Sequence, residues 1–499
     1  MSEHLSRLDL LILGVYFTLA MGVGVYFYPR TRSREGFTAA GRALPGWVTG
    51  LSILATYLSS ISFLALPGSA YASNWNGFVF SLSLPLAAWV AVRWVVPYYR
   101  ESTEVSAYSH LERRFGTWAR LYASVCYLLT QLARIGTVTY LMALPIEVLL
   151  GWDIRWIIVV TGTSVTLYSF VGGIVAVIWN DAIQAIVLSV GALTCLVLML
   201  LGLPEGPGQL FEIAAAQGKF DVGGFGASLT EQTFWVVLVY GIVINLQNFC
   251  IDQNYVQRYI ASSSPAEARK GVWLGALSYL PLSALFFLIG TTLFVFYAVQ
   301  PELLASEYPA DRVFPYFIAT QLPSGFRGLL IAAIFAAAMS TISTSLNSSA
   351  TILMSDFFER FFTKGIVEKK SVLFLYATTI TWGALGTGIA FLLTYFETGA
   401  LDMWWTLSGI FGGGMLGLFL LGFVAKRPGN TAAIAGVVAG LFVIAWMTFS
   451  PRLDALAAIR SPLHSYLIIV FGTATILLVG LFASRLLPQG TSANGGSRN

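Results

Sequence analysis

Ala55-Thr56-Tyr57-Leu58-Ser59-Ser60-Ile61-Ser62 crowds hydroxyl side chains into the middle of an apolar stretch running from about 46 to 72, and Pro67 and Gly68 follow within it. A helix needs roughly 20 residues to cross a hydrocarbon core of about 30 Å, so the stretch is long enough to span. In lipid every backbone polar group needs an internal partner, and unwinding is tolerated only where the backbone lines a cavity. The run therefore has two readings. A helix broken here frees carbonyls that can coordinate a cation. An unbroken helix bonds the same hydroxyls back to its own carbonyls.

Outward from this stretch, the rest of the chain reads the same way. Of 499 residues, 57% are hydrophobic and 10% charged, against about 25% charged in soluble domains. Mean hydropathy is +0.75. Apolar segments of spanning length fall near 9–28, 46–72, 76–98, 117–149, 154–173, 175–203, 233–256, 271–299, 324–358, 371–395, 402–425, 430–449 and 463–485. They do not alternate polar and apolar residues as barrel strands do. The expectation is an all-α membrane protein of about thirteen helices, forming a single transmembrane domain over 1–486 with a disordered Gly/Ser/Asn-rich tail at 487–499. The segment at 9–28 is too long for a signal-peptide core and reads as a retained helix. Cys126, Cys195 and Cys250 fit neither a disulfide framework nor a zinc site, and His4, His110 and His464 are scattered. No basic run suits nucleic acid.

Lys and Arg in the loops give an orientation. Arg30, Arg32, Arg34 and Arg42 follow the first helix, and Arg100, Arg113, Arg114 and Arg120 surround the loop after the third. Arg258, Arg269 and Lys270 follow the seventh, Arg360, Lys364, Lys369 and Lys370 the ninth, and Lys426 and Arg427 the eleventh. All fall on one side if every segment spans. The alternate loops carry Glu205, Glu212, Asp221, Glu231, Glu302, Glu307 and Asp311, and the loop with Arg452 and Arg460 is a mild exception. This places the chain in the cytoplasmic membrane with its N-terminus outside and its C-terminus inside.

Three further polar features interrupt the apolar spans. Ala336 to Ser349 puts positions 337, 340, 341, 344 and 348 on one small or hydroxylated helix face. Close helix packing explains the alanines; the adjacent hydroxyl pairs fit ion coordination better. Asp181 lies about two turns into the segment 175–203. Buried there, a carboxylate needs a cation, a proton or a helix start in water. Arg134 sits near the middle of 117–149 and must face a cavity or a partner. Its planar fork suits a carboxylate, whether that belongs to a solute or to the protein.

Four stretches together resemble the sodium/solute symporter family: ATYLSSISFLALPGSAYA at 55–72, GGIVAVIWNDAIQ at 172–184, NLQNFCIDQNYVQRY at 245–259 and IAAIFAAAMSTISTSLNS at 331–348. That family includes bacterial sodium/sialic-acid symporters, which the chain resembles most, and the sodium/glucose cotransporters. The resemblance runs over essentially the whole chain. It implies a leucine-transporter-like fold: an extra N-terminal helix at 9–28, inverted five-helix repeats at about 46–203 and 233–425, and two C-terminal helices at about 430–485. Breaks are then expected at Thr56–Ser60 and around Asn245–Asn248. It further implies a main sodium site of Ala55, Leu58 and Ala337 carbonyls with Ser340 and Thr341 hydroxyls. A second sodium site, present in some members, maps onto Asp181, Ser340, Ser343 and Thr344. The solute site maps onto Tyr57, Ser59, Ser60, Ser62, Ser81, Arg134, Asn245 and Gln247. Tyr57 stands where the sialic-acid members have a threonine, and Ser81 where they have a glutamine.

The resulting expectation is a secondary active symporter, not an enzyme, importing a sialic acid or related sugar acid with one or two sodium ions as co-substrate. The alternative solute is a neutral sugar or monocarboxylate. No cofactor is expected, and the chain is expected to work as a monomer in the bilayer. A membrane enzyme would need a nucleophile–base pair or metal ligands within the spans. A channel would need a continuous polar pore or charged rings. Neither pattern is visible.

Overall fold

A computed structural model of the chain describes residues 5–31, 33–102, 104–304, 309–362, 368–395, 400–425 and 429–486. Arg32, Glu307, Lys364, Lys426, Arg427 and the tail from 487 lie outside the described residues. Within them the chain is helical, with one isolated parallel bridge between Leu44 and Ser262. Nine of the described helices are long and apolar enough to cross a membrane, or ten if a bent pair counts as one span. The chain is thus a multi-pass membrane protein. In order, the main helices are α1 (Arg7–Phe27), α2 (Gly46–Tyr57), α3 (Ser60–Ala72), α4 (Asn76–Glu101), α5 (Thr117–Leu150) and α6 (Ile154–Leu201). They continue with α7 (Phe234–Ile251), α8 (Gln253–Ala261), α9 (Pro265–Val299), α10 (Ala310–Thr320), α11 (Phe326–Ile352), α12 (Glu368–Leu393), α13 (Ala400–Val424), α14 (Asn430–Phe449) and α15 (Leu467–Leu486).

The hydroxyl- and alanine-rich helix α11 is the central post. Its apolar window is 89% buried, against 22% for α1 and for α12. Small residues let α5, α6 and α12 close around it, whereas Leu10, Leu11, Val15, Leu19 and Val25 of α1 stay exposed to lipid.

Three breaks interrupt the spans. Helix α2 stops at Tyr57, and Leu58 is extended (φ −83°, ψ 92°). Ser59 then caps α3 by accepting from the Ser62 amide at 3.4 Å, and Ser62 Oγ donates to the Tyr57 carbonyl at 3.0 Å. The pair bends by 49°. Ser at the N-cap restarts the helix, and Pro67 withholds the amide that would bond one turn back. Gly290 of α9 seats directly on Pro67, because a Cβ there would stand 2.1 Å from the Pro67 carbonyl oxygen. The second break is at Asp252 (φ −74°, ψ 121°), whose carboxylate caps α8 by accepting from the Asn254 amide at 2.7 Å. This corrects the break expected around Asn245–Asn248, which lie within α7. Asn245 there finds side-chain partners on neighbouring helices and needs no unwinding, whereas an Asp cap ends the preceding helix. The third break is Gly173 (φ 50°, ψ −169°), open only to glycine, which splits α6 into Ile154–Leu167 and Gly173–Leu201.

The loops gather at two faces. On one, Arg34 pairs with Glu359 at 2.6 Å, Arg100 donates to the Ile260 carbonyl at 2.7 Å, Arg114 donates to the Gly422 carbonyl at 2.8 Å, and Arg360 pairs with Glu112. On the other, Asp9 accepts from the Gly325 and Gly328 amides at 2.7 and 2.8 Å. There too, Lys219 donates to the Tyr71 and Ser73 carbonyls, and Arg312 faces Glu147 at 3.6 Å. One basic residue leaves its expected place: Arg258, read above as a loop cation, is fully buried among the helices.

Candidate functional site

A cavity of about 200 Å³ opens between the two broken helices. Thr56, Gln131, Arg134 and Asp252 line its deep end; Tyr57, Ser59, Ser62, Ser81, Gln247, Tyr255, Tyr279 and Trp404 contribute to its walls. Ser69, Gln232 and Tyr466 carry the lining toward the Lys219 face. The two breaks therefore supply the chemistry. Tyr57 and Ser59, which flank the break at Leu58, and the Asp252 cap all line this space, as irregular backbone in a membrane must.

Arg134 donates to the Thr56 carbonyl at 2.8 Å and has no carboxylate within 4.0 Å among the described residues, although Asp252 on the same cavity wall lies within electrostatic reach. A guanidinium has five N–H donors and cannot lose its charge. Its remaining donors at a cavity wall suit an anionic group.

The other expected solute-site residues divide. Tyr57, Ser59, Ser62, Ser81 and Gln247 line the cavity with Arg134, while Ser60 and Asn245 do not. Ser60 donates to the Val138 carbonyl at 3.2 Å. Asn245 accepts from the Tyr57 hydroxyl at 3.0 Å and donates to Ser83 Oγ at 2.8 Å. It fixes Tyr57, whose ring packs with Tyr255 and Tyr279 at centroid distances of 5.1 Å. Ser81 hydrogen-bonds Ser283 at 2.8 Å.

Ala55, Leu58, Ala337, Ser340 and Thr341 are all buried, with α11 packed on α2 and α3. Because the Ser62 amide bonds to Ser59 Oγ, it does not close a helical turn on the Leu58 carbonyl. Thr341 Oγ1 donates to the Ala337 carbonyl at 3.1 Å. This set supplies neutral oxygens at a helix break, which suits a hard monovalent cation carrying its own charge.

Asp181 is fully buried in the second limb of α6. Ser52 and Ser340 donate to its two oxygens at 2.6 and 2.7 Å, and Arg258 Nη2 pairs with it at 2.7 Å. Thr344 Oγ1 is 3.4 Å from Asp181 and accepts from Arg258 at 2.6 Å. Ser343 turns instead to the Ser340 carbonyl at 3.2 Å. Burial removes the reading of Asp181 as a solvated helix-start charge, and its compensating charge is an arginine of the same chain.

Sequence reasoning passed over Asp252, Arg258, Ser52, Gln131 and the aromatic walls. Asp252 and Arg258 both stand in NLQNFCIDQNYVQRY. The available signal was for Asp252 alone, a carboxylate directly after the apolar run Phe249-Cys250-Ile251.

A cavity between broken helices, lined toward one face, with cation-suited oxygens beside it, defines a secondary transporter. A sequence profile of the sodium:solute symporter family matches residues 37–440. The chain belongs to that family, and it is a transporter rather than an enzyme. It is 32% identical to the sodium/sialic acid symporter NanT of Aliivibrio fischeri over 99% of this chain and 96% of that protein. It is also 32% identical to the sodium/sialic acid symporter SiaT of Proteus mirabilis, over 94% of this chain and 93% of that one. The solved structure of a sodium-coupled sialic acid symporter, in a substrate-bound outward-open state, superposes with a TM-score of 0.90 at 30% identity, covering 97% of this chain and 99% of that one.

Proposed function

We propose that the chain uses sodium to import a sialic acid or a closely related sugar acid across the cytoplasmic membrane. The observation that carries this reading is the Arg134 guanidinium at the deep end of the cavity, without an ion pair among the described residues. A solute carboxylate would complete its fork bidentately. Ser59, Ser62, Ser81 and Gln247 offer hydroxyl and amide partners for a polyol, and the surrounding aromatics offer ring faces. One sodium sits at Ala55, Leu58, Ala337, Ser340 and Thr341, tying α2 to α11 and holding the cavity open to the outside. The membrane potential adds about 2.3 kcal/mol per charge per 100 mV to the driving force.

The architecture proposed with this function has thirteen crossings. The bent pair α2/α3, together with α5 and the shorter apolar helices Ile154–Leu167 and Ser408–Val424, joins the nine long apolar spans. The matched breaks in α2/α3 and α7/α8 support reading inverted repeats at about 46–203 and 233–425. The face rich in Arg is cytoplasmic, so the N-terminus is outside and the C-terminus inside, and one copy is a complete transport unit.

Uptake by the purified protein in sealed vesicles tests the reading, with an imposed sodium gradient and a panel of sugar acids, neutral sugars and monocarboxylates. Sodium-dependent accumulation of sialic acid, inhibited by other sugar acids, is the expected result. Uptake of a neutral sugar with no competition from any carboxylate overturns it.

A further inference from the structure

Arg258 is the largest fully buried side chain among the described residues, and four of its five N–H donors are engaged. Its Nε donates to Ser52 Oγ at 2.9 Å, Nη1 to the Asn254 carbonyl at 2.5 Å, and Nη2 to both Asp181 and Thr344. Arg258 belongs to α8, Ser52 to α2, Asp181 to α6 and Thr344 to α11, so one guanidinium knots four helices. Three of the four side chains mapped to a second sodium site are already engaged around it. Asp181 takes Arg258, Ser340 donates to Asp181, and Thr344 accepts from Arg258.

We propose that Arg258 is a tethered cation that occupies the Asp181 carboxylate and competes with sodium for it. A second sodium then loads only when α8 releases the carboxylate. The inference rests on the sodium-symport reading above. Its physical basis is that Asp181 is the one carboxylate in direct contact with Arg258 among the described residues, Asp252 being shared at longer range between Arg134 and Arg258. A sodium ion on Asp181 would face the guanidinium at close range in a poorly solvated interior, where like charges repel strongly. Thr344 would also have to turn toward the ion the lone pair that now accepts from Arg258, whereas Ser340, which donates to Asp181, keeps its lone pairs free for the ion. Ion entry and the Arg258 knot are mutually exclusive. Because α8 follows the break at Asp252, occupancy of Asp181 is converted into freedom of an element that borders the cavity.

The test is equilibrium binding of isotopic sodium to the purified, solute-free protein. Arg258→Gln keeps a hydrogen-bonding side chain but removes the charge. Sodium at Asp181 should then bind at least about tenfold more tightly than in wild type, the scale set by one charge-assisted interaction. The double variant Asp181→Asn/Arg258→Gln should lose that ion and keep the other. Unchanged or weakened sodium binding in Arg258→Gln overturns the proposal. Wild-type hydrogen exchange decides the matter independently of how the variants fold: raising sodium should accelerate exchange across Gln253–Ala261, and exchange that stays flat up to saturation overturns it. Thr341→Ala separates the two layers of argument. If it leaves sodium binding untouched, the main-site reading fails. If it weakens sodium binding while Arg258→Gln changes nothing, only the tethered-cation proposal fails.

Discussion

Ser340 stands where two sets of oxygens meet. It belongs to the proposed main sodium set through its place on α11, and it also donates to Asp181 at 2.7 Å. Thr341, one residue on, bonds only within its own helix, to the Ala337 carbonyl. The two hydroxyls should therefore differ on removal. Thr341→Ala should raise the sodium concentration for half-maximal uptake about ten- to a hundredfold, the effect of one ligand lost to a buried charge, about 1.5–3 kcal/mol. Ser340→Ala should cost more, because it also strips a donor from a buried carboxylate. Sodium titration of uptake checks both, and unchanged dependence in the pair removes the main site. Arg134 makes a separate claim. Arg134→Lys should weaken solute binding sharply, since a point charge cannot reproduce the bidentate fork. Sodium binding without solute should stay nearly intact. A merely bracing arginine would instead give unfolded protein, or normal transport of a neutral solute.

At the scale of elements, a second polar knot gathers at the arginine-rich face, outside the cavity lining. The span containing α11 widens into a π-helical stretch at Leu353–Phe358, and Asp356 lies buried within it. Asp356 accepts from Arg120 at 2.6 Å, Ser106 at 2.9 Å, Ser124 at 2.5 Å and Ser355 at 2.7 Å. The knot ties α5 and the loop after α4 to the end of the central post, at the arginine-rich face. Asp356→Asn should loosen that face and favour the inward-open state, because it leaves Arg120 partly uncompensated. Cysteine labelling at Ser348 from the cytoplasmic side should rise, and an unchanged rate would show that the knot does not gate. The same face docks a short helix, Ser109–Phe115, through His110. Its ring packs on Phe423 at 4.5 Å, with Nδ1 3.1 Å from the Tyr98 hydroxyl. Burial, aided by Arg114 and Arg113, pushes its pKa down from 6.5 to about 4. The unfolded state thus takes up the proton first. Stability from this contact is complete above about pH 6.5 and falls as pH drops toward 4, by at most about 1.4 kcal/mol per pH unit. His110→Gln should flatten the pH dependence of the thermal midpoint in that window.

For the whole molecule, the cavity lining reaches one face only. Ser69 and Gln232 line its wide end, while the Arg258 and Asp356 knots lie beyond its deep end. An alternating-access cycle then consists of closing the first end and untying the second. Ser69→Cys in intact cells should react with an impermeant thiol reagent added outside. Sodium should quicken the reaction and solute should slow it. Reaction only from the cytoplasmic side would reverse the proposed orientation.

The class of fold was legible in the sequence because bilayers impose a length and a polarity rule that each segment obeys separately. Apolar runs of spanning length mark the helices, the hydroxyls at Thr56–Ser62 mark an interruption, and those at Ser340–Ser349 mark the polar face of the unbroken α11. The first break could be read from composition, because a Ser cap and a proline act locally. The second could not be placed correctly. Whether a polar run such as Asn245–Asn248 unwinds depends on partners such as Ser83, which lies 162 residues away in the chain. Arg134 could be recognised as facing a cavity, since no arginine rests in lipid unsatisfied. Arg258 could not. A charge a few residues past an apolar span is a loop residue by the positive-inside count, and only the assembled bundle shows its chain turning inward at Asp252 to meet Asp181. Sequence alone determined which residues are too polar for lipid. Tertiary structure decided which of them satisfy one another and which are left for a solute, because charge compensation is settled between helices distant in the chain.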